Sequence, residues 1–264
     1  MTFSRHLRTT NARGTKAALG CLGLALLAGG GACSNSTLDL FNPDLGLLAH
    51  WALDESQAGS VAVDSSGFEL STMAPLPATN PPTPIRDVPP VHFSDPYALS
   101  FDGQIQWVNA GNPALLNFGG PISIAAWVRP ANVNGYRNIL AHGWRNNPDF
   151  DVALRINSGN YEFTYWNSVD HMAATPIPAS DIGAWVHLCG AFDGAVYTIY
   201  RNGALAAWTA DATSPPPNID TPWVIGGRAP QPDNLGRLMQ GDIDDVRVYG
   251  RALSAAEVEA LYRR

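Results

Sequence analysis

The sequence predicts an all-β protein, built as a two-sheet antiparallel sandwich with a short C-terminal helix. Three observations carry this prediction. Gly and Pro are abundant, at 25 and 21 of 264 residues, while helix-favouring Lys and Glu are scarce. About ten to twelve short apolar or alternating segments are separated by turn sequences, as in β-sandwiches. Only the last ten or so residues have apolar positions at helical spacing.

The first segment resembles an export signal. Residues 1–16 are basic and polar, and residues 17–32 (AALGCLGLALLAGGGA) are small and apolar, which is the order found in secretory signal peptides. A membrane anchor is the alternative, but a span needs about 20 strongly apolar residues. The sequence therefore predicts that residues 1–32 are a signal peptide.

The signal ends in Gly30-Gly31-Ala32-Cys33, which resembles the lipobox of bacterial lipoproteins. This resemblance implies that Cys33 is lipidated and attaches the exported protein to the outer membrane, either facing the periplasm or at the cell surface. Gly30 departs from the pattern, because leucine is usual there. Cleavage near Ala32 and release as a secreted protein is therefore the alternative. In the lipoprotein case the lipid is the only link to the membrane.

The charge distribution limits the partners of the exported part. The net charge is −7, but residues 1–32 contain four basic residues and no acidic one, so the remainder has a net charge of −11. Nucleic acid binding requires basic surface and is excluded as a function. Aspartate-rich surfaces instead suit hard cations.

The strands are predicted in chain order after a polar tether at residues 33–46. A proline-rich segment, 75–90, interrupts them and is expected to form a surface insertion, because proline disfavours helices and inner strands. Asp193-Gly194 and Asn202-Gly203 are strong hairpin-turn signals, and Ser158-Gly159-Asn160 indicates a further hairpin. The predicted strand segments are 47–54, 97–103, 106–111, 122–130, 138–144, 151–157, 161–167, 185–194, 195–203, 204–210, 221–228 and 241–250.

The predicted helix begins after Ser254. Ser254 and Glu257 match the S-x-x-E capping box, and Val258, Leu261 and Tyr262 follow at helical spacing.

Several motifs resemble the LamG-like domain of the concanavalin A-like lectin/glucanase superfamily. They are LLAHWALDESQAGSVAVDSSG (47–67), YALSFDG (97–103), ISIAAWVRP (122–130), WVHLCGAFDGAVYTIYRNG (185–203) and GDIDDVRVYGRALSAAEVEAL (241–261). The resemblance implies one jelly-roll domain over residues 47–264. It also implies a structural Ca²⁺ where the first loop meets the last strand, with Asp54, Asp64 and Asp244 as ligands. The alternative is that Asp54 and Asp64 form turns and that Asp244 caps a backbone group or pairs with Arg247.

A candidate ligand site lies in the segment 142–171, where aromatic and polar side chains are interleaved. Sugars stack on aromatic rings while polar groups contact their hydroxyls. The candidate ligand-binding residues are His142, Trp144, Arg145, Tyr165, Trp166, Asn167 and His171. Core packing is the alternative for each tryptophan.

The resemblance and this site favour a non-catalytic, surface-anchored module that binds carbohydrate, most plausibly polysaccharide. An envelope adhesion or protein-interaction domain without sugar specificity is the first alternative. A divergent glycoside hydrolase or lyase is the second, but the sequence lacks the E-x-D-x-E triplet of the superfamily's glucanases. Glu162 is the one glutamate in the middle of a predicted strand.

Overall fold

The computed structural model describes residues 42, 44–70, 79–143, 151–215, 221–228 and 237–264. All of them belong to one compact unit, Asp39–Arg264. The predicted signal peptide 1–32, Cys33, Trp144 and Arg145 lie outside the described residues, as do most of the tether 33–46 and residues 75–78 of the proline-rich segment.

Fourteen strands and one α-helix are present in the described part of the chain, arranged as two antiparallel sheets that confirm the predicted sandwich. The strands are β1 (Leu47–Trp51), β2 (Thr83–Ile85), β3 (Ala98–Asp102), β4 (Val108–Gly111), β5 (Ile122–Pro130), β6 (Tyr136–Gly143), β7 (Asp151–Asn157), β8 (Asn160–Trp166), β9 (Asp170–Pro176), β10 (Val186–Phe192), β11 (Val196–Arg201), β12 (Ala204–Ala210), β13 (Trp223–Ile225) and β14 (Gln240–Tyr249). The helix α1 is Ala255–Tyr262.

The first sheet has eight strands in the order β12-β11-β10-β5-β14-β3-β2, with β1 also paired to β14. The second has six, in the order β4-β13-β6-β7-β8-β9. The described part of the proline-rich segment contributes β2, which pairs only with β3. An edge position suits Pro84, because proline lacks the N–H that an inner strand requires.

The core lies between the sheets and follows the two-residue period of the strands. In β8, Tyr161, Phe163 and Tyr165 point into it. The sheets approach closely at Gly190 of β10, where a Cβ atom would lie 2.2 Å from Cγ of Phe163. Only glycine fits at that position.

The same alternation places a second set of side chains on the outer face of the six-stranded sheet. The β7–β8 hairpin turns at Ser158 and Gly159, whose φ angles are 46° and 85°, and this register sets Arg155 opposite Glu162. Both side chains are almost fully buried although they lie outside the core.

Strand β14 exchanges one partner for another along its length. Its first half pairs with β3, up to Ile243, and its second half pairs with β1, from Val246 onward. Asp244 and Asp245 lie at the exchange, where a bulge gives Asp245 a φ of 50°. The loop that leaves β1 and the loop that enters β3 therefore both converge on these two carboxylates.

The helix has the predicted capping box. The Ser254 side chain accepts from the backbone N–H of Glu257, and the Glu257 carboxylate accepts from the backbone N–H of Ser254. Val258 and Leu261 pack on the outer face of the eight-stranded sheet. No helix within the described ranges is long and apolar enough to cross a membrane.

Candidate functional site

The sequence-predicted ligand residues do not form one surface. Trp166 lies on the outer face of the six-stranded sheet, since its neighbour Tyr165 points into the core and is only 3% exposed. Tyr165 is therefore a core residue, and its assignment to the ligand site is corrected. The physical reason is the strand period, which places adjacent residues on opposite faces.

His142 also points inward. Its ring stacks on Trp223 with 4.5 Å between centroids, and Nε2 lies 3.1 Å from the carbonyl oxygen of Thr221. Being 3% exposed, it cannot contact a ligand at the outer face. Its assignment to the ligand site is corrected for that reason.

Asn167 and His171 form a separate group at the end of β8 and the start of β9. His171 Nε2 lies 3.0 Å from Oδ1 of Asn167, and Nδ1 lies 2.5 Å from Oδ2 of Asp211. The His171 ring also stacks on Tyr165. These contacts fix the β8–β9 turn on the core side, away from Trp166.

Trp166 instead lines a small cavity on the outer face, which we call the Arg155 pocket. It is formed by Tyr136, Arg155, Trp166, Asp170 and Arg237 and has a volume of about 110 Å³. Four strands supply its walls, β6, β7, β8 and β9, together with the segment that leads into β14.

Ion pairs form the base of the Arg155 pocket. Arg155 donates from Nε to Oε2 of Glu162 over 2.8 Å and from Nη2 to Oδ1 of Asp170 over 3.1 Å. Arg237 donates to Asp151 over 3.3 Å. Burial raises the pKa of Asp151, although the nearby guanidinium groups of Arg237 and Arg155 oppose that shift.

Two aromatic rings flank these charges. The Tyr136 ring, 43% exposed, lies against the guanidinium carbons of Arg237 and Arg155, at 4.5 and 5.1 Å from its centroid. Such cation–π contacts hold the ring at the pocket edge. Trp166 is half-buried beside it, and its indole N–H has no hydrogen-bond partner among the described residues.

A second candidate site lies on the other sheet, at the partner exchange of β14. Asp54, which follows β1, and Asp95, which precedes β3, meet Asp244 there; we call these three the carboxylate cluster. Asp95 lies within hydrogen-bonding reach of both other carboxylates. One oxygen of each of the three is buried without a donor partner in the described chain.

The electrostatics of the carboxylate cluster favour bound protons or a cation. Burial, together with Asp54 and Asp245, raises the pKa of Asp95 to about 7. Burial is also the main reason that the pKa values of Asp54 and Asp244 are raised. Ionising all of several adjacent carboxylates costs much free energy when they are buried.

Asp64, the third calcium ligand predicted from the sequence, lies outside the carboxylate cluster, and both of its carboxylate oxygens accept hydrogen bonds from the protein. Its carboxylate accepts hydrogen bonds from the backbone N–H groups of His50, Ser66 and Leu70 and from the Ser66 hydroxyl. Burial opposes ionisation, but these bonds outweigh it and lower the Asp64 pKa. Asp64 therefore holds the first loop in shape, as the alternative reading had it, and its assignment as a metal ligand is corrected.

Asp245 differs from its neighbours because it has cationic partners. His50 and Arg247 both contact its Oδ1. Although Asp245 is buried, these partners lower its pKa to about 2. It is thus neutralised within the protein, whereas the carboxylate cluster is not.

In the described ranges, no set of three or more His, Cys, Asp or Glu side chains already has the geometry of a metal site. The carboxylate cluster nevertheless has the donor chemistry that Ca²⁺ prefers, because its unpartnered atoms are all carboxylate oxygens. Backbone carbonyls and water complete the six to eight ligands of such sites.

Sequence reasoning missed most of the residues that matter at both sites. The pairing of Arg155 with Glu162 follows from the hairpin turn at Ser158-Gly159 and was open to prediction from the register. Tyr136, Arg237 and Asp95 are brought in by long-range topology, for which the local sequence gives no signal.

Comparison with known proteins agrees with this architecture. The profile of the Laminin_G_3 family, described as "Concanavalin A-like lectin/glucanases superfamily", matches residues 102–259. The protein therefore belongs to this family. No curated protein sequence matches the chain significantly.

Solved structures with the same fold include several binding domains. Domain 4 of AbnA, a GH43 extracellular arabinanase from Geobacillus stearothermophilus solved with arabinotriose, superposes with a TM-score of 0.63 at 18% identity, covering 82% of this chain and 98% of that one. The binding domain of Paraclostridial Mosquitocidal Protein 1 gives 0.63 at 15% identity, and that of botulinum neurotoxin DC with SialylT gives 0.56 at 13%. These two matches cover 84% of this chain, which spans about half (52%) of each toxin domain. At such identities the likeness shows the fold alone.

Proposed function

We propose that this protein is a non-catalytic carbohydrate-binding module and that the Arg155 pocket is its sugar site. The observation that carries the proposal is the combination of a half-buried tryptophan, Trp166, with buried charged hydrogen-bonding groups in one small cavity. Sugar sites combine an apolar ring surface with a few fixed polar groups. Structural neighbours solved with arabinotriose and SialylT support this choice of ligand class.

The carboxylates near the pocket favour binding over catalysis. A glycoside hydrolase needs one carboxyl group to donate a proton and another to attack or to activate water. Arg155 pairs with both Glu162 and Asp170, and Glu162 also accepts from Nδ2 of Asn157 over 3.0 Å. These contacts hold the Glu162 carboxylate beneath Arg155 and away from a bound sugar.

The Trp166→Ala variant is expected to weaken glycan binding at least tenfold, because a central aromatic anchor contributes about 2 kcal/mol or more, and about 1.4 kcal/mol corresponds to tenfold. The measurement is a glycan array followed by calorimetric titration, with arabino-oligosaccharides as the first probes. Trp208→Ala is the matched control. Trp208 is 62% exposed on edge strand β12 of the other sheet, so its loss should leave binding unchanged.

Two results would contradict this proposal. Equal loss of binding in both tryptophan variants would place the sugar site elsewhere. Absence of binding to every glycan tested would favour the alternative function, an envelope adhesion or protein-interaction domain without sugar specificity.

We also propose that the carboxylate cluster binds a structural Ca²⁺ through Asp54, Asp95 and Asp244. The support is the three unpartnered buried oxygens, whose mutual repulsion a divalent cation relieves. The ion would join the first loop, the loop before β3 and the last strand. Its expected role is stability, because the cluster lies on the opposite sheet from the Arg155 pocket.

We further propose that the protein is exported and anchored at the outer membrane through lipidated Cys33. The support is the sequence around Gly30-Gly31-Ala32-Cys33. Cells fed a labelled fatty acid should label the wild-type protein, and Cys33→Ala should abolish the label. Unlabelled wild-type protein recovered from the medium would instead indicate ordinary cleavage and secretion.

A further inference from the structure

The carboxylates around the Arg155 pocket are paired before any ligand arrives. Among the described residues, the carboxylates of Asp151, Glu162 and Asp170 are each paired with a guanidinium group of Arg155 or Arg237. Among the described residues of this network, two guanidinium groups therefore face three carboxylates, and an anionic ligand would add further negative charge to a largely buried place.

The Arg155–Asp170 ion pair keeps a donor and an acceptor for a ligand at the base of the pocket. Among the described residues, Arg155 uses Nε and Nη2 for Glu162 and Asp170, which leaves Nη1. Asp170 uses Oδ1 to accept from Arg155 and from the Thr164 hydroxyl, which leaves Oδ2. Nη1 and Oδ2 therefore belong to two side chains that are directly hydrogen-bonded to each other.

This pair suits two adjacent sugar hydroxyls. A hydroxyl group both donates and accepts, so one can accept from Nη1 of Arg155 while the next donates to Oδ2 of Asp170. The Arg155 side chain is 2% exposed and therefore held in place, which lowers the entropy lost on binding.

The size of the cavity limits how much of a glycan can enter. Its volume of about 110 Å³ is well below the roughly 300–1,000 Å³ of pockets that enclose drug-sized ligands. The Tyr136 and Trp166 rings close two of its sides. One sugar unit is the largest piece that such a space accommodates.

Building on the proposed function, we infer that the Arg155 pocket binds a single uncharged sugar unit at the end of a glycan chain. Two adjacent hydroxyls of that unit contact Arg155 Nη1 and Asp170 Oδ2, and its ring lies against Trp166. Uronic and sialic acid units are disfavoured because the described ion pairs carry no excess of positive charge. Internal units are disfavoured because they need exits for two linkages, and the Tyr136 and Trp166 rings close two sides of the cavity.

The test is calorimetric titration of the full-length protein with matched sugars. Neutral hexoses and pentoses are compared with glucuronate, galacturonate and N-acetylneuraminate, and one neutral oligosaccharide is compared at three chain lengths. We expect neutral sugars to bind at least tenfold tighter than acidic ones. Affinity per chain end should stay constant as the chain lengthens.

Asp170→Asn removes the acceptor charge with little change of shape and should weaken neutral sugar binding at least tenfold. Glu259→Gln, an exposed carboxylate on α1, is the control and should have no effect. Acidic sugars binding as tightly as neutral ones, affinity per chain that rises with length, or an unaffected Asp170→Asn would each overturn this inference alone. Absence of binding to any sugar would overturn the proposed function and this inference with it.

Discussion

Replacing Arg155 with methionine is expected to destabilise the folded protein by about 3–5 kcal/mol, the cost of removing one partner from a buried ion pair. Arg155 is 1% exposed and Glu162 is 3% exposed. Without the guanidinium group, Glu162 keeps only its hydrogen bond from Asn157, and Asp151 loses a nearby positive charge. Methionine fills much of the space, so the loss reports charge and hydrogen bonding more than volume.

Urea denaturation of the full-length protein measures this effect as a fall in the unfolding midpoint at an unchanged slope. Arg263→Met is the matched control. Arg263 pairs with Glu259 on the exposed face of α1, with side chains 71% and 55% exposed, and such pairs contribute about 0–1 kcal/mol. A similar small change for Arg155→Met would show that the buried network is not needed for the fold.

The double variant Arg155→Met with Glu162→Met separates two explanations. If the cost arises from a carboxylate left unpaired, removing that carboxylate should recover part of the stability. If it arises from lost packing over the sheet, the double variant should be as unstable as the single one. Recovery would also show that the ion pair contributes little net stability compared with two apolar side chains.

Much of the fold was accessible from the sequence because strands and turns have local signals. The bounds of β5 and β7 match the predicted segments, and the turn at Ser158-Gly159 fell where its residues require positive φ. Strand β9 was missed because DHMAATP lacks the apolar alternation that marks a half-buried strand. It forms because all seven of its residues pair with the backbone of β8.

The candidate site was less accessible because local spacing does not determine which face a side chain occupies. His142, Tyr165 and Trp166 were grouped by their nearness in sequence, but strand alternation separates them onto two faces. Asp64 was a reasonable calcium ligand by its position after β1, yet the loop closes on its carboxylate with its own N–H groups. Asp95 lies beside Asp54 and Asp244 because β14 exchanges partners between β3 and β1.

Removing calcium with a chelator is expected to lower the melting temperature of the protein by about 5–10 °C. A ligand at 100 times its dissociation constant adds about 2.7 kcal/mol of stability, and each kcal/mol corresponds to about 2–4 °C for a domain of this size. Asp95→Asn should abolish the response to calcium. Asp64→Asn is the control, since its carboxylate already accepts four hydrogen bonds from the protein, and it should keep the response although its melting temperature is lower.

The contribution of Asp95 to the stability of the calcium-free protein should fall as the pH rises from about 4 to about 7. In this window the folded state keeps a proton on Asp95, whose pKa is about 7, whereas the unfolded state releases it near an ordinary aspartate value of about 3.9. Because the folded state binds more protons here, a rise in pH favours unfolding. Asp245, with a pKa of about 2, acts in the opposite direction at lower pH. His187 acts in the opposite direction within the same window, because burial lowers its pKa to about 4, so the Asp95 effect is measured as the difference between the wild-type protein and Asp95→Asn.

The effects of calcium and of pH on stability are measured together as urea unfolding midpoints at pH 5 and pH 8, with and without calcium. Without calcium, raising the pH from 5 to 8 should lower the wild-type midpoint relative to the Asp95→Asn midpoint, a comparison that removes the opposing effect of His187. With saturating calcium, this relative fall should shrink, because the cation neutralises at pH 8 the carboxylates that protons neutralise at pH 5. A calcium-independent midpoint at pH 8 would mean that the carboxylate cluster binds no Ca²⁺ and is neutralised only by protons at lower pH. The last strand would then be joined to the first loop by shared protons, and the cluster would limit the stability of the fold in alkaline solution.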